Sequence, residues 1–160
     1  MIEQNVFSGF TNTFKYFKQP YRLGEIVTIN GNEHLIIGIE DVRIWHLGVD
    51  VRYTTQILNN YNFSYKQYAA AAEVSNMVEL YTEQRYDADI LKKFKPGFTT
   101  NVTIKNITAL YKMMEYTEIE FVGTNLRICA NFKLVVPHPP GETKALYFQK
   151  KREALKIEIL

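Results

Sequence analysis

The chain has 160 residues, 46% of them hydrophobic, with 11 Tyr and 10 Phe; that is about one domain's worth of chain, and so much aromatic mass excludes a disordered polymer. The formal net charge is +2, which disfavours a strong polyanion binder, since coating DNA needs a larger basic excess, and leaves room only for a local basic patch. The one cysteine, Cys129, has no partner for an internal disulfide, so the fold does not depend on an oxidising compartment.

Residues 1–20 read as an N-terminal arm. Phe7, Phe10, Phe14 and Phe17 recur at spacings of three, four and three. On a helix they form one aromatic stripe. Gly9, Thr11, Asn12 and Thr13 are poor helix formers, so the arm is weakly ordered alone; its apolar anchors suit docking on a partner, the alternative being packing on its own domain. Pro20 closes it. The opening MIEQNVFSGF lacks a basic start followed by an apolar block, so no secretory signal is expected. No apolar run reaches the ~20 residues of a membrane helix.

Residues 21–58 predict an antiparallel meander. Asn30-Gly31 stands between apolar runs carrying Ile26 and Ile29 on one side and Leu35, Ile37 and Ile39 on the other. An Asn-Gly pair accepts the positive φ angles of a type I′ turn, the strongest short hairpin signal. A second hairpin or bulged pair is expected about Gly48, with Val42 and Ile44 before it and Val49, Val51 and Tyr53 after it. Such a meander suits an SH3-like or related small barrel.

Ser64 and Gln67 fit a capping box ahead of four consecutive alanines. The reading is a helix over 65–80, continuing or restarting over 87–94 and stopped by Pro96-Gly97. Residues 98–108 are rich in β-branched side chains and read as a strand. A further hairpin is expected around Gly123-Thr124. Cys129 lies in its second strand, as a small buried hydrophobe. Pro137, Pro139 and Pro140 predict an extended loop ending at Gly141. The alternation of Leu155, Ile157 and Ile159 favours a final strand.

The search for chemistry finds no catalytic set. His34, His46 and His138 are not at metal-pair spacing, and Cys129 has no cysteine partner, so neither a metal nor a cofactor is expected. No phosphate loop, GxSxG elbow or SxxK motif occurs. His46 and Asp50 form a base and its orienter only if the fold brings them close, which their spacing alone does not indicate; Glu118 and Glu120 share one face of a strand, where they could coordinate a cation or flank a substrate but read as a solvated face. Sequons at Asn62, Asn101 and Asn106 read as chance in an Asn- and Thr-rich chain. Lys144, Lys150, Lys151, Arg152 and Lys156 interleave with Tyr147 and Phe148, the composition of a single-strand nucleic-acid surface, though Glu142, Glu153 and Glu158 dilute it.

These readings combine into an α+β domain, strand-rich and antiparallel, with one central alanine-rich helix, the domain proper spanning 21–160. The expected function is non-enzymatic: a structural or assembly subunit of a multi-subunit, virion-type particle, cytoplasmic or in the virion. Its expected partners are copies of itself or other subunits, not a membrane. Phe7, Phe10, Phe14, Phe17 and Trp45 are the expected contact residues. The alternative is an SH3-like barrel that binds nucleic acid or a peptide.

Overall fold

The computed structural model describes residues 6–159 apart from Ser75. Residues 1–5 of the expected arm, Ser75 of the expected central helix and Leu160 of the expected final strand lie outside the described residues. The element order is β1 (Phe7–Phe14), β2 (Ile26–Ile29), β3 (Asn32–Trp45), β4 (Gly48–Ile57), α1 (Lys66–Val74), β5 (Met77–Arg85), α2 (Ile90–Lys93), β6 (Thr99–Ile104), β7 (Ile107–Val122), β8 (Asn125–Leu134) and α3 (Pro140–Ile159). The chain is strand-rich, and both of its sheets are antiparallel. By internal contact it divides into two compact units, Met1–Tyr65 with Pro137–Leu160, and Lys66–Val136.

Unit 1 holds the sheet β1-β4-β3-β2. Asn30 (φ 50°) and Gly31 (φ 81°) make the two-residue turn between β2 and β3, as the Asn-Gly pair predicts. The core gathers around Ile36, Val51 and Tyr53, with Phe10, Phe14, Tyr21, Val27 and Val49 packed on it. Tyr53 is fully buried and donates its hydroxyl to the Tyr21 carbonyl at 3.0 Å, which makes its one polar atom safe to bury. Each large side chain removed from water here contributes roughly 1.5–3 kcal/mol.

Unit 2 holds the sheet β5-β8-β7-β6. Its core contains Tyr111, Met113, Ile128, Ala130, Phe132 and Leu134 from β7 and β8, with Ala71 of α1 and Phe94 at the end of α2. The short side chain of Ala71 lets the helix pack closely on the sheet. The turn between β6 and β7 is Lys105-Asn106, both residues left-handed (φ 50° and 65°). The sequence reading took this region as one strand, because Lys-Asn is a much weaker turn signal than Asn-Gly.

The two units have the same topology in detail. The β3–β4 pair His34–Ile57 has its counterpart in the β7–β8 pair Tyr111–Leu134, each residue 77 positions on (34 to 111, 57 to 134). Ile37 and Glu40 are bulged out of β3, and Met114 and Thr117 are bulged out of β7 at the same displacement. Gly24 N–H bonds Ile36 O at 2.8 Å, and Gly97 N–H bonds Met113 O at 3.0 Å; both glycines have positive φ. Leu58 N–H bonds Glu33 O and Val135 N–H bonds Leu110 O, each at 2.8 Å. No residue of 32–58 keeps its identity 77 positions on, but apolar character persists: Ile36/Met113, Val42/Ile119, Ile44/Phe121, Val51/Ile128. A burial pattern tolerates such exchange, so the two units share bulges and register without sharing residue identity.

Four readings of the sequence are corrected. The phenylalanine arm is not a helical stripe: residues 7–14 are a strand that pairs with β4 from Phe7–Gln56 to Phe14–Val49. The helix read over 65–80 covers only Lys66–Val74, and Met77 onward is β5. There, Val78, Leu80 and Thr82 alternate with exposed neighbours, and pairing with β8 overrides local helix propensity. The C-terminal segment is a helix, not a strand; Leu155 lies in α3. Pro140 is the first residue of that helix rather than part of an extended loop, a position where its missing N–H costs nothing. The described residues thus hold three helices where one central helix was expected.

Candidate interaction surface

β3 runs past the reach of its neighbour β2. β2 pairs only with residues 32–35, and Ile36 bonds the loop at Gly24 and Glu25. Among the described residues no strand pairs with the outer edge of β3 from 37 to 45. Val42 and Ile44 lie on one side of this segment, in register with Val51 and Val49 of β4. Both are exposed, Ile44 at 73%. Leu47, in the hairpin loop, is exposed as well.

The opposite side of the same segment is polar and held in place. Asp50 Oδ1 accepts the Thr13 hydroxyl at 2.7 Å and the Trp45 indole N–H at 3.1 Å. Glu40 on the bulge receives Arg52 Nε at 2.6 Å and the Thr54 hydroxyl at 2.8 Å. The Tyr16 hydroxyl donates to the Trp45 carbonyl, tying the loop after β1 to the hairpin end. Gly48 makes that approach possible: a Cβ there would stand 2.2 Å from the Phe14 carbonyl oxygen.

The expected contact residues are distributed accordingly. Phe10 packs on Tyr53 with centroids 5.3 Å apart, and Phe14 meets Tyr21 edge-on at 5.2 Å, so both serve the core of unit 1. Phe7 is half-buried in β1, beside Gln56. Phe17 stands alone. It is fully exposed (104%) and has φ 67°, a conformation that phenylalanine adopts at a cost. Trp45 is partly covered and fixed by Asp50. Tyr16 links the last two: it adjoins Phe17 in sequence and bonds Trp45, so the structure brings Phe17 and Trp45 to the same end of unit 1.

Unit 2 repeats the surface. β6 pairs with residues 107–112 of β7, and from 114 to 122 no described strand covers the outer edge of β7. Ile119 and Phe121 occupy the places of Val42 and Ile44, and both are exposed, Phe121 at 71%. Glu118 and Glu120 share the opposite side, as their spacing predicts. Glu120 lies opposite Arg127, whose guanidinium stacks 4.7 Å from the Tyr81 ring. The sequence reading missed Ile44, Leu47, Ile119 and Phe121. Their alternation was visible, but alternation reads the same whether a face is buried or bare.

The histidines are separate fixtures of unit 1. His34 is buried, with Nδ1 2.8 Å from the Thr55 hydroxyl, and burial lowers its pKa while the neighbouring Glu33 carboxylate opposes that shift. His46 meets the Trp45 ring edge-on, and His138 Nδ1 lies 3.2 Å from Glu142. Cys129 is buried in β8. Among the described residues no group of three His, Cys, Asp or Glu side chains is placed to hold a metal ion, and no helix is long and apolar enough to cross a membrane.

The chain matches no protein-family model, no curated protein and no solved structure.

Proposed function

We propose that the chain is a non-enzymatic structural subunit that works by protein–protein contact within a larger particle of the virion type. One observation carries this reading. Both units present a long strand edge that no described strand pairs with, carrying two exposed apolar side chains at equivalent places, Val42 and Ile44 in one, Ile119 and Phe121 in the other. A lone exposed apolar residue is ordinary. The same exposed pair recurs at the same register on strands that share no residue identity, and bare strand edges are liabilities that proteins otherwise blunt. Phe17 adds a protruding ring held in a costly backbone conformation.

The test is solution mass by sedimentation or light scattering, together with capture of partners from the native source. Ile44→Ser with Phe121→Ser is expected to abolish association while leaving the circular dichroism spectrum unchanged. An unaltered mass and partner set would refute the reading. Deleting residues 1–18 is a poorer probe, because it removes β1 from the sheet.

A second reading takes unit 1 as an SH3-like barrel that binds nucleic acid or a peptide. Its support is a cluster on and beside α3: Lys144 Nζ lies 5.8 Å from the Tyr61 ring centroid and Lys151 Nζ lies 5.5 Å from that of Tyr147. Salt-dependent retention on a polyanion column, lost in Lys144→Glu, would favour it.

A further inference from the structure

Resting on the assembly reading, we infer that the partner of these edges is a second copy of the chain, and that β3 of one copy adds antiparallel to β7 of the next, with Arg43 opposite Glu120.

Three features of the edges select this arrangement. The first is hydrogen-bonding phase. Arg43 and Glu120 occupy the same place in their hairpins, 77 positions apart (43 to 120), each three pairs before the closing turn residues. The backbone groups of both therefore point inward, to β4 and β8, while those of Val42, Ile44, Ile119 and Phe121 point out to the edge, so setting 43 opposite 120 brings the outward-facing groups into the same phase, as an antiparallel pair requires.

Charge is the second. Arg43, Glu118 and Glu120 are exposed and make no ion pair among the described residues. Pairing β7 with β7 about Glu120 sets two glutamates face to face, and pairing β3 with β3 about Arg43 sets two arginines face to face. Like charges directly opposite are unfavourable on a sheet, whereas Arg43 against Glu120 is a favourable cross-strand pair.

Apolar match is the third. With Arg43 opposite Glu120, Val42 falls opposite Phe121 and Ile44 opposite Ile119. All four apolar side chains share one face, and each covers surface that its own unit leaves bare. Trp45 falls opposite Glu118 on the polar face. Because the strands run antiparallel and overlap over 41–45 and 118–122, unit 1 of one copy and unit 2 of the next lie on opposite sides of the joint. The contact is heterologous, since each copy offers one β3 and one β7. It closes into a pair if both joints form between the same two copies, and otherwise it continues into a ring or chain.

Charge reversal tests the register, with mass read across a concentration series. Arg43→Glu is expected to raise the dissociation constant about tenfold, and Glu120→Arg likewise. The double exchange, Arg43→Glu with Glu120→Arg, is expected to restore it to within about twofold, because the opposed charges are again unlike. Both positions are exposed, and circular dichroism verifies that each variant is folded. Single reversals that leave self-association unchanged, or a double exchange that fails to restore it, overturn the inference while leaving the assembly reading standing. A wild-type chain that is monomeric throughout also overturns it; if a different protein is then captured from the source and lost in Ile44→Ser, the assembly reading survives without it.

Discussion

His34 Nδ1 and the Thr55 hydroxyl lie 2.8 Å apart in the interior of unit 1, where His34 is 6% exposed. Their counterparts in unit 2, Tyr111 and Phe132, are aromatic and buried. The equivalent places hold a hydrogen-bonded polar pair in one unit and two buried rings in the other, and only the first includes an imidazole.

Burial sets His34 below its ordinary value of 6.5, so the native state binds its proton less readily than the unfolded chain does. Stability from this group is complete above 6.5 and is lost as pH falls below it towards the depressed native value. The urea midpoint is therefore expected to drop between pH 7 and pH 5. In His34→Gln the drop is expected to be shallower, since the group that must charge is gone. Parallel curves for the two proteins would show that His34 does not govern this range.

Gln56 is completely buried and makes three bonds to the segment leading into α3. Its Nε2 donates to the His138 carbonyl at 3.2 Å and the Thr143 hydroxyl at 3.0 Å, and its Oε1 accepts the His138 N–H at 2.8 Å. Gln56→Leu strands the His138 amide, while the His138 carbonyl keeps the Thr143 hydroxyl at 3.1 Å, and is expected to cost about 1–3 kcal/mol. Thermal unfolding measures the loss. Faster proteolysis within 140–159 would place it at α3.

Gly48 has no room for a side chain. A Cβ would meet the Phe14 carbonyl oxygen at 2.2 Å, and that atom is backbone and cannot rotate away. Gly48→Ala is expected to push β1 off β4 and destabilise by about 2 kcal/mol or more. Gly123, with open space around its Cβ position, is the contrast at the other hairpin. There the cost comes only from φ 63° and is expected near 1 kcal/mol. Comparative chemical denaturation of the two alanine variants checks the order.

Phe17 opposes stability to contact. Its left-handed conformation favours glycine and its ring touches little, so Phe17→Gly is expected to stabilise the fold by about 0.5–1 kcal/mol. The same variant is expected to associate more weakly. A higher melting temperature with a lower solution mass is the result to look for. A fall in both would mean that the ring supports its own unit.

Local signals in the chain were enough for its turns and for part of its helices. Asn30-Gly31 and Gly123 specify their hairpins because few residues tolerate positive φ, a constraint carried by one or two positions. The alanine run specifies α1 because helix propensity is likewise local. What happens beyond Val74 is not local. Met77–Arg85 became a strand because β8 offered it a full ladder and a core for Val78 and Leu80. Leu155 stayed helical within α3, whose first turns are joined to Gln56. Phe10 and Phe14 became core because β1 found β4, while Phe17, past the end of the strand, did not.

The sequence by itself determined an aromatic, strand-forming chain with tight turns at named positions, since each of those follows from short-range sterics and composition. Only the tertiary structure decided that the chain repeats one four-stranded topology, which apolar faces are covered and which edges are left open. Pairing partners lie tens of residues apart, and a burial pattern can be kept while every residue in it changes.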